Sequence, residues 1–340
     1  MNKTNLNLIV INLIKTFPDQ LKVALELTNQ INVTGFSKGQ IQHIAISGMG
    51  GSGIGTHLVK SILEDYCHIP ITLIQGYNLP LWVNENTLFI ACSYSGNTEE
   101  TLTVLELAKK QTNYLFSITT GGRLKEISDK NTIPQYNFSG KDECPRAGLA
   151  FPSVAVLMLI EKLGLCPEIK VEEELTNSIN LLKEHQNNIQ IEAESFAKNI
   201  HGFYTLLYAD QKFYPAVLRF QQQLAENSKQ LSHAHVFPEL NHNEIVGWKF
   251  PEEHIKRSKA ILLRSDFDHA QNQKRMDISK TIISNKAEIM ELKGKGNSFT
   301  QQLYYFIHLI DWISFYLAKE NQVDPFPVEN IDFLKSKLAE

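Results

Sequence analysis

Three serine and threonine hydroxyls fall within six positions at Ser93-Tyr94-Ser95-Gly96-Asn97-Thr98. The apolar run Thr87-Leu88-Phe89-Ile90-Ala91-Cys92 precedes them and helical spacing follows from Glu99, so they stand where a buried strand hands over to a helix. The first N–H groups of such a helix lack partners within it, and its dipole is positive there, which favours an anion. A cap needs one hydroxyl. Three beside unpaired N–H groups have the chemistry to wrap a phosphate. The stretch Ile44-Ala45-Ile46-Ser47-Gly48-Met49-Gly50-Gly51-Ser52-Gly53 repeats the arrangement, with glycines that admit close backbone approach and Gly51 and Ser52 as candidate phosphate ligands. Thr119-Thr120-Gly121-Gly122, at the next strand end, offers further donors. All three turns are expected at carboxyl ends of parallel strands, where open α/β sheets bind ligands.

Two nucleotide readings lack support. Gly48-x-Gly50-x-x-Gly53 fits the dinucleotide fingerprint, but the second strand, Ile71–Ile74, ends on Gln75-Gly76 and not on the acidic residue that holds a ribose. No G-x-x-x-x-G-K-[ST] loop is present either.

These turns need strands and helices to position them. The spacing predicts helices within residues 1–40, then strand 44–46, helix 54–65, strand 71–74, strand 87–92, helix 99–111, strand 114–118, helix 123–129 and helix 152–163. Strands alternating with helices over short connections mean a doubly wound parallel sheet. Residues 168–199 read as long linking helices. A second α/β unit follows, with strand 203–208, helix 214–231, strand 260–264, helix 269–284 and strand 289–292. Helix 299–319 is apolar almost all round and is expected to be buried against a partner subunit or between domains. The expected division is 1–166, a linker at 167–200, and 201–340.

Composition limits the function classes. The chain has 340 residues, 43% hydrophobic and 21% charged, with a net charge of −4, and carries no Lys/Arg block that would suit nucleic acid or a membrane surface. Its four cysteines, Cys67, Cys92, Cys144 and Cys166, make no C-x-x-C pair and suggest reduced thiols in a cytoplasmic protein. Leu6–Ile14 reads as part of an amphipathic helix, and no apolar run reaches the length of a membrane span. Neither a metal nor another cofactor is expected.

Other residues with chemical potential are ambiguous by themselves. Glu226 lies on a helix, where a carboxylate is ordinarily a solvated charge. Arg146 has Asp142 and Glu143 close by as pairing candidates. His233, His235, His242 and His254 crowd one region beside Glu239 and Glu244. Lys335 lies near a helix end, where a lysine offsets the dipole.

The motifs S-Y-S-G-N-T-E-E-T and G-M-G-G-S-G resemble those of sugar isomerase (SIS) domain proteins, which bind phosphosugars through such a serine/threonine loop. Within that group the chain is similar to the bifunctional phosphoglucose/phosphomannose isomerase family. The likeness continues through Thr119–Leu124, Cys144-Pro145-Arg146-Ala147, Ala225-Glu226-Asn227-Ser228-Lys229, Glu239-Leu240-Asn241-His242-Asn243, Val323-Asp324-Pro325-Phe326-Pro327 and Ile331–Lys335. It implies two flavodoxin-like SIS subdomains. It also implies reversible C1–C2 proton transfer in a hexose 6-phosphate through a cis-enediol(ate). Ser52, Ser93, Ser95 and Thr98 would hold the phosphate and Glu226 would move the proton. Arg146 would offset enediolate charge, while His242 and Lys335 would assist ring opening. The family takes the histidine from the partner subunit, so a homodimer is implied. Archaeal members carry a threonine at the position of Val328, where it helps them accept the mannose epimer. A phosphosugar-sensing regulator would use the same loop but needs a partner module, and no helix-turn-helix or basic stretch is evident. An amino-sugar-phosphate isomerase or lyase is a second alternative.

Overall fold

The computed structural model describes residues 3–139 and 144–338. The chain divides into two compact units, one of Thr16–Asn180 and one of Met1–Lys15 with Leu181–Glu340. Helix α1 (Lys3–Lys15) thus belongs with the C-terminal unit, whereas the sequence grouped it with the first domain.

The N-terminal unit runs α2 (Phe17–Glu26), β1 (His43–Gly48), α3 (Gly50–Leu63), β2 (Ile71–Ile74), β3 (Thr87–Ser93), α4 (Glu99–Ala108), β4 (Leu115–Thr119), α5 (Gly122–Lys130), β5 (Gln135–Asn137) and α6 (Ala150–Lys162). Its sheet is wholly parallel in the order β2-β1-β3-β4-β5, as expected for a flavodoxin-like doubly wound domain. Every residue of β3 is buried, as the run Leu88–Cys92 demands of a central parallel strand. Phe89, Leu102, Leu105 and Leu124 form one core between sheet and helices, each contributing about 1.5–3 kcal/mol by burial.

The 30-residue α7 (Val171–Ile200) spans the boundary between the units. The C-terminal unit then runs β6 (Tyr204–Asp210), α8 (Tyr214–Glu226), β7 (Ser232–Phe237), α9 (Glu244–Gly247), α10 (Glu252–Lys256), β8 (Ser258–Arg264), α11 (Ala270–Ile283), β9 (Glu288–Lys293), α12 (Phe299–Glu320) and α13 (Glu329–Leu338). Its parallel sheet has the order β7-β6-β8-β9. Tyr208, Phe237, Leu240, Leu262 and Met276 pack together on one face. Helix α8 packs on the sheet and against α12.

Three sequence expectations change. Helix α3 begins at Gly50 and not Ile54, so the glycines form its first turn. Helix α8 stops at Glu226 and the edge strand β7 follows, where a helix was expected to run to 231. The small and histidine residues of Ser232-His233-Ala234-His235 hide a strand pattern, because an edge strand has little apolar surface to bury. Helix α12 is buried nearly throughout, but α8 and α1 of its own unit pack on it, so no partner subunit is needed to explain its apolar surface.

Candidate active site

Within the N-terminal unit, β1 and β3 pair side by side up to Gly48 and Cys92. The chain leaves them in opposite directions across the sheet, toward α3 and α4. This is the topological switch point, where open α/β sheets bind ligands. Ser52 sits in the first turn of α3, and its Oγ accepts from the Tyr94 N–H at 3.1 Å, joining the two turns. Ser93 is buried, and its Oγ lies 2.8 Å from the Thr98 Oγ1. Thr98 is the N-cap residue of α4, yet its side chain makes no capping bond. Ser95 is exposed on the loop, with its Oγ accepting from the Asn97 N–H at 3.2 Å. Four hydroxyls therefore gather at two helix N-termini, an oxyanion cradle in both charge and donor chemistry.

The Thr119–Gly122 turn has a different task from the one expected. Thr120 Oγ1 donates to the Tyr94 carbonyl at 2.8 Å, and Thr119 Oγ1 donates to the Gly121 carbonyl at 2.9 Å. The Leu124 N–H donates to the Gly96 carbonyl at 2.8 Å, and the Arg123 N–H to Asn97 Oδ1 at 3.1 Å. These groups hold the serine loop in shape; their hydroxyls are already committed. Gly96 makes the fit possible: its φ is +70°, and a Cβ there would lie 1.8 Å from the Gly121 carbonyl oxygen. Gly96→Ala is expected to destabilise the protein by about 2–4 kcal/mol, through strain and overpacking. It should also weaken inorganic phosphate binding, as read by urea unfolding and calorimetry.

Arg146 is brought to this cradle. It lies in the 3-10 turn Pro145–Gly148, and a Cβ on Gly51 would come within 3.0 Å of the Pro145 carbonyl oxygen and 3.3 Å of the Arg146 Cα. Gly51 is thus the residue that lets this turn pack against α3. On the other side the Tyr94 ring lies over Gly148, leaving no room for a side chain there. Arg146 is buried. Its sequence neighbours Asp142 and Glu143 lie outside the described residues.

The carboxyl edge of the C-terminal sheet is built differently. The Asp210 carboxylate accepts from the Lys212 and His269 N–H groups and from Asn272 Nδ2, at 2.8–3.0 Å. Burial lifts nearby Asp268 to a pKa of about 7, with the Asp210 charge adding to the rise. This edge carries carboxyl groups where the N-terminal edge carries hydroxyls.

Glu226 is the last residue of α8 and is half-buried. The residues after it explain the A-E-N-S-K motif. Asn227 Nδ2 donates to Ser314 Oγ at 2.9 Å, and Ser228 Oγ donates to the Ser314 carbonyl at 2.7 Å, both on α12. Lys229 Nζ bonds the carbonyls of Glu226 and Pro327. The helix end and the 323–328 segment are thereby tied together around a cavity of about 840 Å³, lined by Glu226, Lys229, Val323, Asp324, Pro327 and Val328 among others. Sequence reasoning singled out Glu226 and gave these anchors no role; the polar pair directly after it was the available signal.

Neither His242 nor Lys335 lines that cavity, although Ile331, one turn before Lys335 on α13, does. His242 is exposed in the 3-10 turn Glu239–His242, whose Leu240 belongs to the core on the sheet face bearing Met276 of α11. Lys335 is exposed in the last turn of α13, where a dipole-offsetting role is also satisfied. Of the other histidines, His233 Nε2 and His235 Nδ1 lie 2.9 Å and 2.6 Å from Glu244 Oε2. The Tyr208 hydroxyl donates to the other oxygen. Partial burial works to raise the Glu244 pKa, but the hydrogen bonds from His233, Tyr208 and His235 outweigh it and hold the carboxylate at about 2. Glu244 is therefore committed to these three groups. Glu239 Oε1 accepts from Asn243 Nδ2 at 2.7 Å.

The model of the bacterial phospho-glucose isomerase C-terminal SIS domain matches residues 189–338. A bifunctional phosphoglucose/phosphomannose isomerase of Caldicellulosiruptor bescii is 37% identical over 335 residues, 95% of this chain and 97% of that protein. This chain belongs to the bifunctional phosphoglucose/phosphomannose isomerase family. A second relative of that name, from Aquifex aeolicus, is 33% identical across 87% of this chain and 90% of its own. The fold is shared more widely than the sequence. The C-terminal domain of glucosamine-fructose-6-phosphate aminotransferase from Francisella tularensis superposes with a TM-score of 0.72 at 17% identity, covering 94% of this chain and 98% of that one. Among the described residues of this phosphoglucose/phosphomannose isomerase family member, no helix is long and apolar enough to cross a membrane.

Proposed function

We propose that this protein interconverts glucose 6-phosphate and fructose 6-phosphate, and also accepts mannose 6-phosphate, by C1–C2 proton transfer. The observation that supports the reading most directly is the set of four hydroxyls at the switch point, an anion cradle on the fold of a phosphosugar isomerase family. Ser52, Ser93, Ser95 and Thr98, with the N–H groups near Gly51, take the 6-phosphate. The carboxylate of Glu226 removes the proton from one carbon and returns it to its neighbour. Arg146 offsets the charge that gathers on the enediolate oxygen. His242 and Lys335 serve ring opening, which needs an acid and a base near neutrality. His242 acts from the partner subunit of a homodimer; its exposure and its place on a different sheet face from α8 agree with that role.

A coupled assay with fructose 6-phosphate, reading glucose 6-phosphate and mannose 6-phosphate separately, tests the proposal. Both products should appear, and appearance of neither would refute it. Val328 shares the Glu226 cavity and offers no hydrogen bond to a substrate hydroxyl. Val328→Thr should raise the mannose-to-glucose rate ratio by about 2–10-fold, the worth of one hydrogen bond.

A further inference from the structure

The cluster of His233, His235 and Glu244 has no part in the proposed reaction. His233 and His235 alternate along β7, so both rings leave the same sheet face. Glu244 opens α9, and its backbone N–H is held by Asn243 Oδ1 at 2.6 Å. Tyr208, paired with His235 across the sheet, fixes the carboxylate through the oxygen that the histidines do not share. One imidazole nitrogen from each histidine and a carboxylate oxygen lie within 4.8 Å of one another. A tetrahedral site with bonds of about 2.0–2.1 Å needs donors about 3.3 Å apart. The two nitrogen-to-oxygen separations, 2.9 and 2.6 Å, are shorter than this, so each must lengthen by about 0.4–0.7 Å to admit an ion.

We propose that His233, His235 and Glu244 bind a divalent transition metal of the zinc class, which locks β7 to the segment carrying His242. Two imidazoles and one carboxylate form a donor set suited to zinc and its neighbours and unsuited to calcium or magnesium. The hydroxyl of Tyr208 supplies the outer hydrogen bond that orients a ligating carboxylate. The side chains are 44%, 27% and 20% exposed, which leaves an ion a way in. Glu244 also lines a cavity of about 680 Å³, with room for water or a small anion in the fourth position. The isomerisation proposed above does not pass through this site.

The whole 340-residue chain, stripped with chelator, is titrated with Co²⁺. The expected result is one ion per chain with the visible absorption of tetrahedral cobalt, displaced by Zn²⁺. His235→Ala and Glu244→Gln should each weaken binding more than about tenfold. A missing band, a band that survives both substitutions, or a thiolate-to-cobalt band in the near ultraviolet would overturn the proposal. Should the variants not fold, the wild type decides. Zn²⁺ at a hundredfold excess over its dissociation constant should raise the melting temperature by about 5 °C, reversed by chelator. Equal melting with and without zinc would overturn the assignment.

Discussion

Glu226→Gln should lower turnover by about 10²–10⁴-fold while fructose 6-phosphate still binds. Glutamine keeps the size of the side chain and can accept a hydrogen bond, but it cannot take a proton from carbon. The helix end has anchors besides the carboxylate: Asn227 and Ser228 fasten it to α12, and Lys229 donates to the Glu226 carbonyl. The loss should therefore fall on kcat with KM little changed, the signature of an interaction used in the transition state. Exchange of the C2 proton with D₂O should slow in parallel, and binding is read by calorimetry. Near-normal turnover in the glutamine variant would remove Glu226 from the mechanism.

Arg219→Ala should cost about 3–5 kcal/mol of stability. Arg219 on α8 is almost fully buried and grips Asp311 on α12 with two bonds, Nε to Oδ1 at 3.0 Å and an Nη to Oδ2 at 2.7 Å. Gln223 Nε2 adds a third, to Oδ1 at 3.0 Å. Removing the guanidinium strands a carboxylate in the interior, and this penalty exceeds the worth of the pair itself. The double replacement Arg219→Met with Asp311→Leu, which removes both charges, should recover most of the stability in urea unfolding. A single variant as stable as the wild type would show that water reaches Asp311. The pair lies two turns before Glu226, so the same network that stabilises α8 also aims its last residue.

Much of this architecture was legible in sequence because its signals are local. The run of β3, the glycines after β1 and the hydroxyls at 93–98 act through backbone conformation within a few residues. They predicted a doubly wound parallel sheet with an anion cradle at its carboxyl edge. The motif resemblance then singled out Glu226 from a surface full of carboxylates, which spacing cannot do. What the sequence could not settle depends on partners far along the chain. Thr119 and Thr120 look like phosphate ligands until the fold commits Thr120 to the carbonyl of Tyr94, 26 residues away. Helix α8 ends at Glu226 because Asn227 and Ser228 find α12, with Asn227 and Ser314 lying 87 residues apart. Helix α12 reads as an interface, yet α8 and α1 cover it within one unit. The His233–His235–Glu244 cluster needs an edge strand and a returning turn, neither of which carries a strong periodic signal. Local propensity decides which elements form; only packing decides which polar groups are consumed by the fold and which are left for a ligand.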